Sequence, residues 1–284
     1  MARSPERQER WRSLLLLGPA LVVLGAFFVY PLFGILTRSV YKAGYTLDAY
    51  RQIVRVPVYL TVFGLTFRTA ALVTLCCLLL GYPLAYVLVS VRPRRARLLT
   101  IVVVLPFFTS IIVRTYAWMV LLGRNGLVNQ WLVALGLAPA PLPLLYNQAG
   151  VLVGMTYVLL PFMVLTLFSV MRGIDPALVR AAHSLGASRA QAFVRVFLPL
   201  SWPGIAGGTL LVFILALGFF ITPALMGGPS DIMIAMLIER EVEITLNWSF
   251  ASALAVILLA LTLAGFALYS RAVRLERVFE GGTT

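Results

Sequence analysis

The chain of 284 residues is 61% hydrophobic and only 12% charged, with a mean hydropathy of +0.97. A soluble domain carries roughly a quarter charged residues on its wet surface, so this composition excludes an ordinary water-soluble protein and turns much of the surface to lipid. The net charge of +13 comes almost wholly from arginines in short clusters between apolar runs, which suits membrane-surface loops and excludes a basic domain gripping a nucleic-acid duplex.

A spanning helix needs about 20 mostly apolar residues, and six segments meet that length. In chain order they are Ser13 to Thr37, Leu60 to Val91, Leu98 to Leu122, Gly150 to Met171, Ser201 to Met226 and Trp248 to Ser270. Pro19, Pro31, Pro83, Pro106, Pro161 and Pro223 fall inside them; membrane helices tolerate such breaks where neighbours re-satisfy the backbone. The first segment follows Arg3, Arg7, Arg10 and Arg12 as a signal peptide would, but its apolar run is too long and no small-residue cleavage site follows. It reads as a retained first helix. Cys76 and Cys77 are neighbours in an apolar run and make no disulfide framework. With His183 the single histidine, no metal site is expected.

Orientation follows from arginine bias. The N-terminal tail, Arg92 to Arg97, Arg172 to Arg195, and the end with Arg271, Arg274 and Arg277 share one side if six helices alternate, which puts both termini in the cytoplasm. The first opposing loop, with Arg38, Lys42, Arg51 and Arg55, runs against this without reversing it. No internal repeat of the kind common in secondary transporters is visible. The chain reads as one all-α membrane domain, 1–284, that completes its pathway with a partner.

Residues 172–200, between the fourth and fifth segments, are far longer than the usual short connection. Asp175 and Pro176 begin a helix, as cap and first helical residue. Ala177, Leu178, Ala181, Ala182 and Leu185 then keep helical spacing until Gly186, a left-handed stop. A second amphipathic stretch, Ala190 to Phe197, is expected to stop at Pro199. The loop is thus two short helices joined by a glycine, with apolar residues still to bury.

The pattern Arg180-Ala181-Ala182, three residues, Gly186, nine residues, then Val196-Phe197-Leu198-Pro199 resembles the E-A-A…G…I-x-L-P motif of type I ABC importer permeases. The chain resembles the spermidine/putrescine class most, through Val113 to Trp118, Gly126 to Asn129, Leu160 to Met163 and Leu225 to Gly228. The resemblance implies a six-span inner-membrane permease whose loop, through Arg180, Ala181, Ala182, Leu185, Gly186, Val196, Leu198 and Pro199, docks on a cytoplasmic ATPase. It implies two ATPase subunits, a second permease subunit in a heterodimer, and an extracytoplasmic solute-binding protein. ATP is bound by the partner and no cofactor by this chain. The solute implied is a polyamine; an amino acid, an opine or a ferric complex fits the same architecture, and a non-transporting scaffold is the reading from another class. The departure is Arg180, where the pattern has glutamate: the charge offered to the ATPase is reversed while the helix is kept.

Candidate pathway residues are fewer and less sharply marked. Arg114 lies about 16 residues into the third segment and so about 24 Å deep, in the outer part of the bilayer; it either faces a cavity or snorkels to the outer headgroups. Tyr116 and Trp118 are pathway lining or an interfacial belt. Thr222-Pro223 offers a bend, and Gly207-Gly208 offers a bend or plain close packing. Asp231, Glu239, Glu241 and Glu243 gather in the last outer loop, either guiding a cation or docking a basic partner. Glu239 and Glu243 share a face if that stretch is helical, and all three glutamates do if it is extended. No G-x-x-x-x-G-K-[ST] loop is present, and the spans hold no acidic residue or histidine, so neither nucleotide binding nor intramembrane catalysis is expected.

Overall fold

The computed structural model describes residues 17–41 and 44–280, with side chains through 271. The basic tail Arg3 to Arg12, the expected start at Ser13 and Lys42 lie outside these residues, as do the side chains of Arg274 and Arg277. Among the described residues the chain is helical, with one isolated bridge between Tyr41 and Tyr45 as its β-type pairing. The helices are α1 (Leu17–Val40), α2 (Asp48–Arg55), α3 (Pro57–Ser90), α4 (Pro93–Val104), α5 (Ile111–Leu122), α6 (Leu127–Ala134) and α7 (Gln148–Arg172). There follow α8 (Pro176–Ser184), α9 (Arg189–Leu200), α10 (Trp202–Leu217), α11 (Ile221–Met226), α12 (Ile234–Glu243) and α13 (Trp248–Glu280).

Among the described residues four helices are long and apolar enough to cross a membrane unbroken: α1, α3, α7 and the part of α13 from Trp248 to Arg271. Two bent pairs bring the number to six if each is one span: Pro93–Phe108 with Ile111–Ala134 at 102° and Arg189–Leu200 with Trp202–Leu217 at 58°. The third segment is therefore not the continuous helix expected from its composition. Pro106 sits in a 3-10 turn, Leu105–Phe108, and Thr109 and Ser110 are extended, so the backbone turns sharply before α5. The fifth expected span also breaks, after Leu217, and α11 is a separate short helix. Pro199 does not end α9, which runs through it to Leu200.

Two helices contain a π turn, Gly25–Val29 in α1 and Phe193–Phe197 in α9, and each ends two residues before a proline, Pro31 and Pro199. A proline lacks the N–H that would bond four residues back, and its ring crowds that carbonyl. Widening the turn just upstream, with Tyr30 N–H on Gly25 O and Leu198 N–H on Phe193 O, accommodates the ring without breaking the helix.

The described helices form two compact units. The described part of Met1–Pro57 with Ile238–Leu261 makes the first. Within it the Tyr50 hydroxyl bonds Ser39 Oγ at 2.8 Å, and the Arg38 guanidinium sits 5.5 Å from the centre of the Trp248 ring. Apolar side chains of α1 such as Phe27 and Tyr30 are about four-fifths exposed, as lipid-facing residues are.

Val58–Leu237 with Thr262–Thr284 makes the second unit. Its axis is α7, whose Met155, Leu159, Met163 and Leu167 are fully buried. Helix α10 packs along α7 at close range. A Cβ added to Gly208 would lie 2.7 Å from Met163 Sδ, and one on Gly81 of α3 would lie 2.9 Å from Met163 Cγ, so a glycine on either side makes room for one methionine. Burial of such side chains is worth roughly 1.5–3 kcal/mol each against water, but in lipid it is close contact rather than water exclusion that holds helices together. Asn129, 1% exposed, pins the segment after α6: its Nδ2 donates to Gly123 O and Leu142 O, each at 3.0 Å, and its Oδ1 accepts from Leu142 N at 2.8 Å.

Candidate functional site

The segment joining α7 to α10 is built by local chemistry. Asp175 caps α8, accepting from Ala177 N at 2.8 Å, and Pro176 stands at the first helical position. Such a cap is worth about 1 kcal/mol. At the other end Ala187 N–H reaches Ala182 O and Gly186 N–H reaches His183 O, both at 3.0 Å. This doubly bonded terminus requires a left-handed residue, and Gly186 supplies φ +88°. His183 Nδ1 lies 3.0 Å from Ala187 O across the same turn. Ser188 then opens α9 with a reciprocal capping box: its Oγ accepts from Gln191 N, and Gln191 Oε1 accepts from Ser188 N.

The pair is anchored from below and free above. Phe193 and Phe197 of α9 meet Tyr86 of α3 edge to face at 5.3 and 5.1 Å between ring centres, and Tyr82 meets Phe193 at 6.1 Å. Val196 and Leu198 are partly buried, whereas Ala181 and Pro199 are open. Leu178, in the first turn of α8, is 48% exposed and Leu185, at the turn between the helices, is 89% exposed among the described residues. Arg180 is exposed as well, with His183 one turn along the same helix.

The candidate pathway residues part company. Arg114 and Trp118 are one turn apart on α5. Trp118 stacks edge to face on Tyr157 of α7 at 5.4 Å. The Nε and Nη1 atoms of Arg114 are buried with no hydrogen-bond partner among the described residues. Tyr116 points elsewhere and is 54% exposed. The bend before α5 removes the straight-helix depth of about 24 Å assumed for Arg114. Thr222 and Pro223 are buried in α11, and Thr222 Oγ1 lies 3.3 Å from Thr115 Oγ1, a residue that sequence reading passed over. Its 1% exposure beside a polar partner had no trace in hydropathy.

The acidic residues do not form one cluster of free carboxylates. Asp231 is 9% exposed and its Oδ2 accepts from Gly228 N at 2.9 Å, closing the turn after α11. The following stretch is helical, so Glu239 and Glu243 share a face of α12. Glu241 lies off that face and accepts from Thr245 Oγ1 at 2.6 Å.

These features define a multi-span helical membrane protein with a capped helix pair between two spans. The chain belongs to the family described as the binding-protein-dependent transport system inner membrane component, which matches residues 77–277. It is thus a type I ABC permease subunit of the inner membrane, as the loop motif led one to expect. It is 36% identical to the spermidine/putrescine transport system permease protein PotB of Haemophilus influenzae over 268 residues, 93% of this chain and 91% of that one. The PotB protein of Escherichia coli is 34% identical over 268 residues, covering 93% and 94%. In fold the chain is similar to a chain of a bacterial alginate ABC transporter crystallised with an alginate pentasaccharide-bound periplasmic protein: TM-score 0.79, 20% identity, covering 95% and 96%.

Proposed function

We propose that this chain is one permease subunit of an importer that carries a polyamine, such as spermidine or putrescine, into the cytoplasm. The observation that carries the transport role is the α8–α9 pair, capped at both ends, fastened to α3 and presenting Leu178 and Leu185 uncovered. In this reading a cytoplasmic ATPase covers them, and Arg180, Ala181, Ala182, Leu185, Gly186, Val196, Leu198 and Pro199 form or brace the docking surface. Two ATPases, a second and different permease subunit and an extracytoplasmic solute-binding protein complete the assembly. Both termini lie in the cytoplasm, with α12 on the opposite side.

The polyamine assignment rests on the names of the relatives and on chemistry. Glu239 and Glu243 on one face of α12 offer a cation two carboxylates, each worth roughly 1 kcal/mol at about 4 Å in water and about 4 kcal/mol at an effective dielectric of 20. Within the second unit, Arg114, Tyr116 and Trp118 on α5 and the buried Thr222 and Pro223 on α11 belong to the translocation pathway in this reading. Uptake of labelled spermidine and putrescine, measured in cells with the gene deleted and restored, tests this. Polyamine uptake that needs the gene supports the reading; uptake indifferent to it overturns the polyamine, and a thermal-shift screen of the neighbouring solute-binding protein against amino acids, opines and ferric complexes then finds the solute.

A further inference from the structure

A cavity of about 880 Å³ opens between the end of α3, the start of α4, the end of α7 and the α8–α9 pair. Four guanidinium groups line it, from Arg97, Arg172, Arg180 and Arg189, together with His183. No carboxylate is among the lining residues, and among the described residues none of the four arginines is ion-paired. The carboxylate nearest in sequence, Asp175, is already held on Ala177 N. Where the loop motif has glutamate the chain has Arg180, which makes the positive charge of the lining uniform.

Apart from Ser90 and Thr100, the other lining residues are apolar or aromatic. Ile101 and Phe168 belong to membrane-crossing segments, and Tyr86, Phe193 and Phe197 form an aromatic wall. Ile101 is both a lining residue and 54% exposed, beside Leu98 at 64% and Val102 at 65%. The cavity is therefore continuous with the lipid-facing side of α4. A pocket for a soluble anion has no use for such a wall. A phosphate with hydrocarbon attached does, because the cations hold the headgroup while the glycerol and upper chains lie on the apolar side.

We infer that this cavity binds the headgroup of an anionic phospholipid at the membrane surface. Arg97, Arg172 and Arg189 contact the phosphate, and Ile101 and Phe168 contact the acyl chains. His183, its Nδ1 placed to donate to Ala187 O, keeps Nε2 for a headgroup hydroxyl. The loop helices would then be seated on the membrane through a lipid as well as through Tyr86. The inference goes beyond the transport role and needs only that these helix ends lie at a membrane face.

The test uses the full chain alone, purified in dodecyl maltoside, so its outcome does not depend on solute or ATPase. Native mass spectrometry would count retained phosphatidylglycerol against phosphatidylcholine. Three proteins are compared: the unaltered chain, the cavity variant Arg97→Gln/Arg189→Gln, and Arg94→Gln/Arg95→Gln, which removes equal charge just outside the lining. Phosphatidylglycerol should be preferred in the first and third, and the preference should fall about thirty-fold in the cavity variant, as expected of two arginines at a membrane surface. If the cavity variant does not fold by circular dichroism, Arg97→Gln alone should still lower the preference about five-fold. Equal losses in both double variants, or no loss in the cavity variant, would overturn the site. Displacement of the lipid by millimolar inorganic phosphate would overturn the lipid as occupant and leave a free-phosphate pocket.

Discussion

The hydroxyl of Tyr82 lies 2.9 Å from Ser201 Oγ, joining α3 to the point where α9 bends by 58° into α10. Ser201 Oγ also bonds Leu198 O at 2.8 Å, and since a hydroxyl has one proton, Ser201 donates there and Tyr82 donates to Ser201. Ser201 is fully buried, so the chain of two bonds is shielded from water. Tyr82→Phe should cost about 1 kcal/mol, while Ser201→Ala, which removes both bonds and orphans the Tyr82 hydroxyl although Leu198 O keeps the residue-201 N–H at 3.2 Å, should cost about 1–3 kcal/mol. Thermal unfolding of the purified chain checks the order; a larger loss for Tyr82→Phe would refute the assigned donor directions.

At the helix turn, Gly186→Ala meets no steric obstacle, because an added Cβ would have nothing within 4 Å, yet φ is +88°. The expected cost is about 1–2 kcal/mol, all of it backbone strain. Gly186→Pro cannot adopt that angle, and it should abolish both capture of the ATPase and uptake while the chain still inserts. Pull-down of the ATPase alongside an uptake assay measures this, and full uptake by the proline variant would sink the docking role. Arg180→Glu is the companion probe: lost coupling restored by a reversed charge on the ATPase would locate its partner there.

Helices α7 and α11 touch where Gly154 faces Thr222. A Cβ on Gly154 would lie 2.5 Å from Thr222 Cγ2, the methyl of a β-branched side chain with little freedom. Gly154→Ala should therefore destabilise by about 1–3 kcal/mol and part Thr222 from Thr115. Thr222→Ser deletes that methyl and keeps the hydroxyl. Combined with Gly154→Ala it should restore part of the loss, the rest belonging to Met226 Sδ 2.7 Å from the added Cβ, and strictly additive effects in the double-mutant cycle would contradict the contact.

Arg114 has two buried nitrogens with no partner among the described residues. An uncompensated buried charge is costly, so Arg114→Leu should raise the unfolding temperature of the isolated subunit while lowering uptake by the assembled transporter. A lower unfolding temperature would mean that the chain itself satisfies the guanidinium.

Topology is checked by reporter fusions. Those within Arg94 to Arg97 and after Leu275 should read cytoplasmic, and those near Asp231 external; a cytoplasmic reading near Asp231 would overturn the orientation.

Where local rules govern, sequence reading went far. The Asp175 cap and the Gly186 stop each follow from one residue's conformational chemistry, and the structure repeats them. It went wrong where two residues share the decision. Composition makes Leu98 to Leu122 uniformly apolar, but Pro106 together with extended Thr109 and Ser110 turns the chain by 102°. Pro199 was expected to end a helix and does not, because the π turn upstream absorbs it, and nothing in hydropathy marks a π turn. The partnership of Thr115 with Thr222 spans 107 residues and is invisible to any local pattern.

The two π turns also affect helix phase. Each holds one residue more than the ladder around it needs, and one residue is about 100° of rotation about a helix axis. Beyond Phe197 the faces of α9 are thus swung about a quarter-turn from where the residues before Phe193 would project them. A single deletion within 193–197 would unwind that offset and force Pro199 against the carbonyl four residues before it. The turn is thus a phase joint: it lets the aromatic face stay locked on α3 while the far end is aimed independently at the next span.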